Sequence, residues 1–139
     1  MKEESGRRKR ANPVSDVFVE VTMNNPNDLK SGTKRYALDV IRLYVALPKS
    51  TEAQVMGKQL LRSGTSVGAH YREGQRAKSN ADLISKLEGA LQELEESGYW
   101  LELLEESGTV EKAEVAGLAN ETGQLIAMLT VAVQKIKAK

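Results

Sequence analysis

From Asp28 to the C-terminus the apolar residues recur at intervals of three and four, the spacing that lines one face of an α-helix, and short polar punctuation divides the pattern into four segments. The first, to Leu47, carries Ala37, Val40, Ile41, Tyr44 and Leu47 on one face and stops at Pro48, which has no N–H with which to continue a helix. The second begins after "PKS", where Thr51 and Gln54 have the spacing of a capping box. The third opens at Ser79 with Asp82 three residues on. It runs through Ile84, Leu87, Leu91, Leu94, Gly98 and Leu101, and Gly108 supplies a left-handed stop. The fourth places Val115, Leu118, Thr122, Leu125, Leu129, Ala132 and Ile136 on its seam and ends in Lys135, Lys137 and Lys139, which favour the negative end of the helix dipole. Connections of roughly two to four residues cannot carry the chain back along a helix, so consecutive helices must be antiparallel neighbours. The pattern predicts an all-α protein, an antiparallel up-down-up-down four-helix bundle over residues 28–139.

The stretch "LLRSGTSVGAHYREGQR", Leu60 to Arg76, is rich enough in glycine to suggest a phosphate-binding loop. A phosphate loop needs a preceding strand and a GxxxxGK[ST] or GxGxxG order, and neither is present. The helical phase instead runs unbroken through Ala53, Met56, Leu60, Leu61, Gly64, Val67, Gly68 and Tyr71, with Gly57 beside the stripe. A continuous helix is therefore predicted, although each interior glycine costs up to about 1 kcal/mol relative to alanine. Gly57, Gly64 and Gly68 then form a flat track on which a neighbouring helix can pack closely. Residues 1–27 lack any such periodicity: "GRRKR", two prolines, "MNNPND" and a short alternating "VFVEV" predict a mostly disordered tail. Its basic run could touch nucleic acid or serve solubility.

Composition removes several function classes. The chain of 139 residues has no cysteine, so disulfides, thiolate metal sites and thiol nucleophiles are absent. No apolar run approaches the roughly 20 residues of a membrane span, and no apolar segment follows the basic N-terminus. A soluble cytoplasmic protein without a membrane partner is expected. Net charge is +1, but the charges are segregated: eight acids and one base lie between Asp82 and Glu106, just after Arg62, Arg72, Arg76 and Lys78. Two uses of those bases stay open at this point. They can bind the phosphates of a nucleic acid, or Arg62 and Arg72 can pair with Glu93 and Glu96, one turn apart on the third helix, as a structural seam. His70 is the sole histidine; Arg62 stands too far before it for the Arg-x4-6-His pattern of helical endoribonucleases, and no Glu-x-x-His pair marks a di-iron bundle. No catalytic residue, metal site, cofactor or small-molecule substrate is expected. Apolar residues exceed what one bundle needs, with Leu83, Ala90, Tyr99, Trp100, Leu103 and Leu104 beside the third seam and Ala119, Ile126, Thr130 and Val133 beside the fourth. Two apolar faces per helix predict self-association, with Tyr99, Trp100, Ile126 and Val133 as interface candidates.

The motifs "ALPK", "QLLRSGTSVGA", "YRE", "ISKL" and "YWLELL", in this order and spacing, make the chain from about residue 28 to 138 resemble the 23S rRNA intervening-sequence proteins. The resemblance implies an antiparallel four-helix bundle assembling as a homo-oligomer, a pentamer, in bacteria, with no established enzymatic activity. Related bundles are accessory proteins of diversity-generating retroelements, in which a basic surface is thought to engage nucleic acid and the reverse transcriptase. The family pattern coincides with Arg62, Ser63, Ser66, Gly68, Tyr71, Arg72 and Glu73, and with Glu93, Glu96 and Trp100. It departs at His70, where asparagine is usual, at Gly74, where alanine is usual, and at Gly32, where a basic residue is common. The expected function is a non-catalytic oligomeric bundle binding RNA or a ribonucleoprotein through Arg62, Arg72, Arg76 and Lys78; the alternative is a protein–protein interaction scaffold with no nucleic-acid binding.

Overall fold

The computed structural model describes residues 28–139, so the expectations for the tail, its basic run and the "VFVEV" patch lie outside the described residues. Four helices follow one another: α1 (Leu29–Ala46), α2 (Thr51–Gly74), α3 (Asn80–Glu106) and α4 (Lys112–Lys137). Each boundary has a local cause. The Asp28 carboxylate accepts the Lys30 N–H at the start of α1, and Leu47 is extended at its end, as the residue before a proline prefers. Ser50 rather than Thr51 caps α2, accepting the Ala53 N–H. Gln54 is thereby freed to tie the α1–α2 turn together: its amide donates to the Pro48 carbonyl at 2.9 Å and its carbonyl accepts from the Tyr44 hydroxyl at 3.0 Å. Ser79 caps α3 by accepting the Asp82 N–H, as the sequence suggests. Gly108, with φ +78°, turns the chain out of α3 in a conformation that a side chain would strain.

Pairs of contacts between helices establish the direction of every neighbouring pair. Gly57 lies against Leu47 and Tyr44, Gly64 against Val40 and Gly68 against Thr33, so α2 ascends as α1 descends. In the same way Gly74 meets Leu83 and Gly89 meets His70; Gly98 faces Thr122 while Glu88 faces Lys137, and Gly32 faces Leu125 while Tyr36 meets Thr122. The bundle is antiparallel around its whole circuit, α1–α2–α3–α4 and back to α1. Helix α2 runs without interruption through its glycines. A methyl group at Gly57 would sit 2.5 Å from Leu47 Cδ1, and one at Gly64 would sit 2.8 Å from Val40 Cγ2. The helix backbones approach more closely there than alanine permits, which gives the small-residue track its physical reason.

The core differs in part from the faces read along the sequence. All seven predicted seam residues of α4 are buried. On α1 the buried face is rotated: Leu29, Thr33, Tyr36, Val40, Leu43 and Leu47 point inward, whereas Ile41 is 39% exposed. On α3 the core line is Leu83, Leu87, Ala90, Leu94, Ser97, Leu101 and Leu104, and Ile84 and Leu91 are only half-buried. The residues assigned to a second apolar face, Leu83, Ala90 and Leu104, thus belong to the first. Hydroxyl groups explain the shift. Ser97 and Ser63 share a hydrogen bond of 2.7 Å, and Tyr36 and Thr122 share one of 2.6 Å. With one proton each, Thr122 donates to the Leu118 carbonyl and accepts from Tyr36, while Ser97 donates to the Glu93 carbonyl and accepts from Ser63, whose hydroxyl also lies 3.3 Å from the Leu60 carbonyl. One hydroxyl from each helix meets in a layer across the bundle, so these polar side chains occupy the core without the cost of about 1–3 kcal/mol that an unpaired buried group carries. Burial, the largest influence on Tyr36, raises the pKa of its phenol. Among the described residues no helix is long and apolar enough to cross a membrane.

Candidate functional site

Charged side chains of α2 meet the acidic face of α3 near the middle of the bundle. The Arg62 guanidinium donates to Glu96 Oε2 at 2.5 Å, and its other terminal nitrogen lies 3.6 Å from Glu93 Oε1. Trp100, one turn beyond Glu96, donates its indole N–H to the same Glu96 oxygen at 3.0 Å. The Trp100 hydrogen bond, followed by that from Arg62, holds the Glu96 carboxyl below the usual carboxylate range. Arg62 is thus committed to the seam. It carries half of the predicted ion-pair cluster.

The other half is placed differently. Arg72 makes no ion pair with Glu93 or Glu96; His70 takes that position, with Nε2 3.7 Å from Glu93 and Nδ1 3.8 Å from Glu73. Helical rotation accounts for the correction. At 3.6 residues per turn, His70 is turned about 80° to one side of Arg62 and Arg72 about 80° to the other, so only His70 reaches α3. Both His70 separations exceed hydrogen-bonding distance, and they become ionic contacts only when the imidazole is protonated. His70 Nδ1 and Glu93 Oε1 are buried without a hydrogen-bond partner. The imidazole packs over Gly89, where a methyl group would sit 2.9 Å from Nδ1. In the sequence His70 reads as a lone structural histidine on or near the packed stripe, with its direction open. The pairing of a large residue on α2 with a glycine on α3 is the signal that placed it.

Arg72, Arg76 and Lys78 are exposed at the C-terminal end of α2 and in the turn to α3, and among the described residues they make no ion pair. The predicted basic quartet therefore divides into one seam residue and three solvent-facing cations. Among the described residues no group of three histidine, cysteine, aspartate or glutamate side chains could hold a metal ion. A groove of about 580 Å³ beside His70 is lined by Ala81, Ile84, Ser85, Lys86, Glu88, Gly89 and Gln92.

The interface candidates also divide. Tyr99 is 53% exposed and packs edge-to-face on Trp100, with ring centroids 5.1 Å apart, while Trp100 and Ile126 are half-buried. Val133 is corrected: it is 5% exposed and part of the protomer's own core, because α4 presents both Ala132 and Val133 inward in its last turns. Exposed apolar side chains lie elsewhere as well, with Leu38, Ile41 and Val45 along one outer stripe of α1, Val55 on α2 and Val131 on α4.

A family model described as 23S rRNA-intervening sequence protein matches residues 27–131. Among solved structures, the chain is similar to a protein of unknown function from the S23 ribosomal protein family of Bacteroides thetaiotaomicron. The two share 36% identity with a TM-score of 0.72, over 76% of this chain and 98% of the other. No curated protein matches the sequence.

Proposed function

The chain belongs to the 23S rRNA-intervening sequence protein family, and from that premise we propose that it is a non-catalytic, homo-oligomeric bundle that binds RNA or a ribonucleoprotein through a basic surface. The observation that carries the reading is the exposure of Arg72, Arg76 and Lys78 without an ion-pair partner among the described residues. Cations held clear of carboxylates are available to phosphates, whereas Arg62 is neutralised by Glu93 and Glu96. A pentamer, as the resemblance implies, would repeat the cluster five times and bind a long polyanion with high avidity. The cytoplasm is the compartment that fits this role.

A salt titration of RNA binding is the direct test. Affinity should fall steeply as salt rises from low to physiological, since each phosphate contact releases counterions. Arg72→Ala should weaken binding while the fold and the mass of the assembly stay unchanged. Binding that is indifferent to salt would remove the RNA reading. The second reading, a protein–protein scaffold, is favoured by the commitment of Arg62 to the seam and by the exposed stripe Leu38, Ile41 and Val45. It predicts no RNA affinity at any salt concentration, and mass measurement in solution with and without bulk RNA separates the two.

A further inference from the structure

The charges of the bundle are polarised along its axis. The antiparallel circuit brings together, at one end, the start of α1, the last turns of α2, the α2–α3 turn, the start of α3 and the last turns of α4. Gly74 against Leu83 and Lys137 3.1 Å from Glu88 tie three of these segments to the same end. Residues 28–34, 66–88 and 130–139 hold nine lysines and arginines against four acids, while the rest of residues 28–139 holds six against eleven. Three of the four acids at the basic end are engaged by a helix N-terminus or a lysine, and Glu73 is ion-paired only when His70 is protonated. Asp28 caps α1, Glu73 lies against His70, Asp82 faces Lys86 at 3.8 Å and Glu88 faces Lys137. Arg72, Arg76 and Lys78 are exposed there, and so is Lys135 of α4, none of them ion-paired among the described residues. Gly32, in the first turn of α1, is level with Leu125, so α4 runs on past the start of α1 and carries Lys135 to the same end as Arg76.

Aromatic side chains are distributed in the opposite sense. Tyr36 and Tyr71 are buried, Tyr44 is half-buried at the α1–α2 turn at the far end, and Tyr99 and Trp100 lie in the half of α3 that leads to the acidic end. Among the described residues the basic end presents no exposed phenol or indole ring. Single-stranded nucleic acid is held by stacking its bases on such rings, and the described residues of this end offer none. Base-paired RNA is held differently, through phosphates and 2′-hydroxyls displayed in a fixed geometry.

Resting on the RNA-binding reading, we infer that the bundle end formed by Arg72, Arg76, Lys78 and Lys135 seats the phosphate backbone of base-paired RNA without reading its bases. The acidic opposite end repels the same backbone and orients the molecule end-on.

The test uses the full chain with a duplex RNA, a scrambled duplex and a single strand of equal length. The duplexes should bind alike and more tightly than the single strand. Four phosphate contacts weaken duplex binding about 150-fold between 50 and 200 mM salt, and three weaken it about 40-fold. Lys135→Gln and Arg72→Gln should each move the protein from the first value toward the second, and Lys58→Gln at the other end should not. Comparing full-length variants cancels the contribution of Arg7, Arg8, Lys9 and Arg10. A single strand that binds as tightly as the duplex, or Lys58→Gln lowering the salt dependence as much as Lys135→Gln, overturns this inference and leaves RNA binding standing. Absence of binding to any of the RNAs at low salt overturns the proposed function itself.

Discussion

Replacing Gly64 by alanine should destabilise the protein, although alanine is the better helix former. Intrinsic propensity favours the change by up to about 1 kcal/mol, because glycine gives up more backbone freedom on folding. Packing opposes it. The new methyl would stand 2.8 Å and 3.0 Å from the two γ-carbons of Val40 and 3.2 Å from its Cβ, all well inside van der Waals contact. Val40 is fully buried, and its branched side chain has one strongly preferred rotamer in a helix, so α1 must move rather than a side chain. Overpacking of this kind costs about 1–3 kcal/mol, which leaves a net loss of up to about 2 kcal/mol after the full propensity gain. Gly117 is the internal control, since a methyl there meets nothing within 4 Å; Gly117→Ala should stabilise by up to about 1 kcal/mol. Urea unfolding at one fixed protein concentration measures both, the fixed concentration being required because assembly adds to apparent stability. Trimming the obstacle should reverse the sign, so Gly64→Ala in a Val40→Ala background should be neutral or stabilising. If Gly64→Ala raises stability as much as Gly117→Ala, close helix approach is not the reason for the glycine track.

Two glutamates should respond to pH in opposite directions. The Glu96 carboxyl is held low by Trp100 and then Arg62, so its contribution to stability is complete above the unfolded pKa and is lost as pH falls through the lower folded value; Glu96→Gln should flatten acid unfolding over that window. The Glu121 carboxyl is raised, chiefly by burial and further by Asp39 against an opposing Arg35, so ionising it costs stability as pH rises through its range; Glu121→Gln should stabilise the protein slightly at pH 7 and make no difference once the carboxyl is protonated. Trp100→Phe should raise the titration midpoint of Glu96, read by carboxyl NMR, while the Arg62 bridge persists. An unchanged midpoint would mean that the indole N–H is not the main cause. Tyr36→Phe removes the 2.6 Å hydrogen bond to Thr122, which keeps its bond to the Leu118 carbonyl, so denaturant unfolding should show a loss of about 1 kcal/mol; a loss above about 3 kcal/mol would show that the hydroxyl layer acts as one unit.

Much of the architecture was legible in the order of residues because helix formation is local. Pro48, Ser79 and Gly108 mark boundaries through their own backbone chemistry, and the three-four spacing of α4 names every buried side chain of that helix except Val133. Short turns then force antiparallel neighbours. The continuity of α2 through Gly57, Gly64 and Gly68 is legible for the same reason, since period survives where composition misleads. Charge segregation too is a property of the sequence, and it offered a seam and a free basic surface as alternative uses of the same residues. The allocation of residues between them was another matter.

Only the packed bundle decided which of two adjacent stripes faces inward. A spacing of three and four fits neighbouring stripes almost equally well, and the choice on α1 and α3 turned on hydroxyl groups whose partners lie on other helices. Ser97 reads as polar until Ser63 is found opposite. His70, not Arg72, meets Glu93 because α2 is rotated so that its glycine track faces α1, leaving the Arg62 and His70 side for α3 and turning Arg72 away. The rotation of each helix about its own axis is set by contacts with other helices. Residue order determines where helices begin, end and reverse; tertiary packing determines which way each one faces, and hence which charges remain free to meet a phosphate.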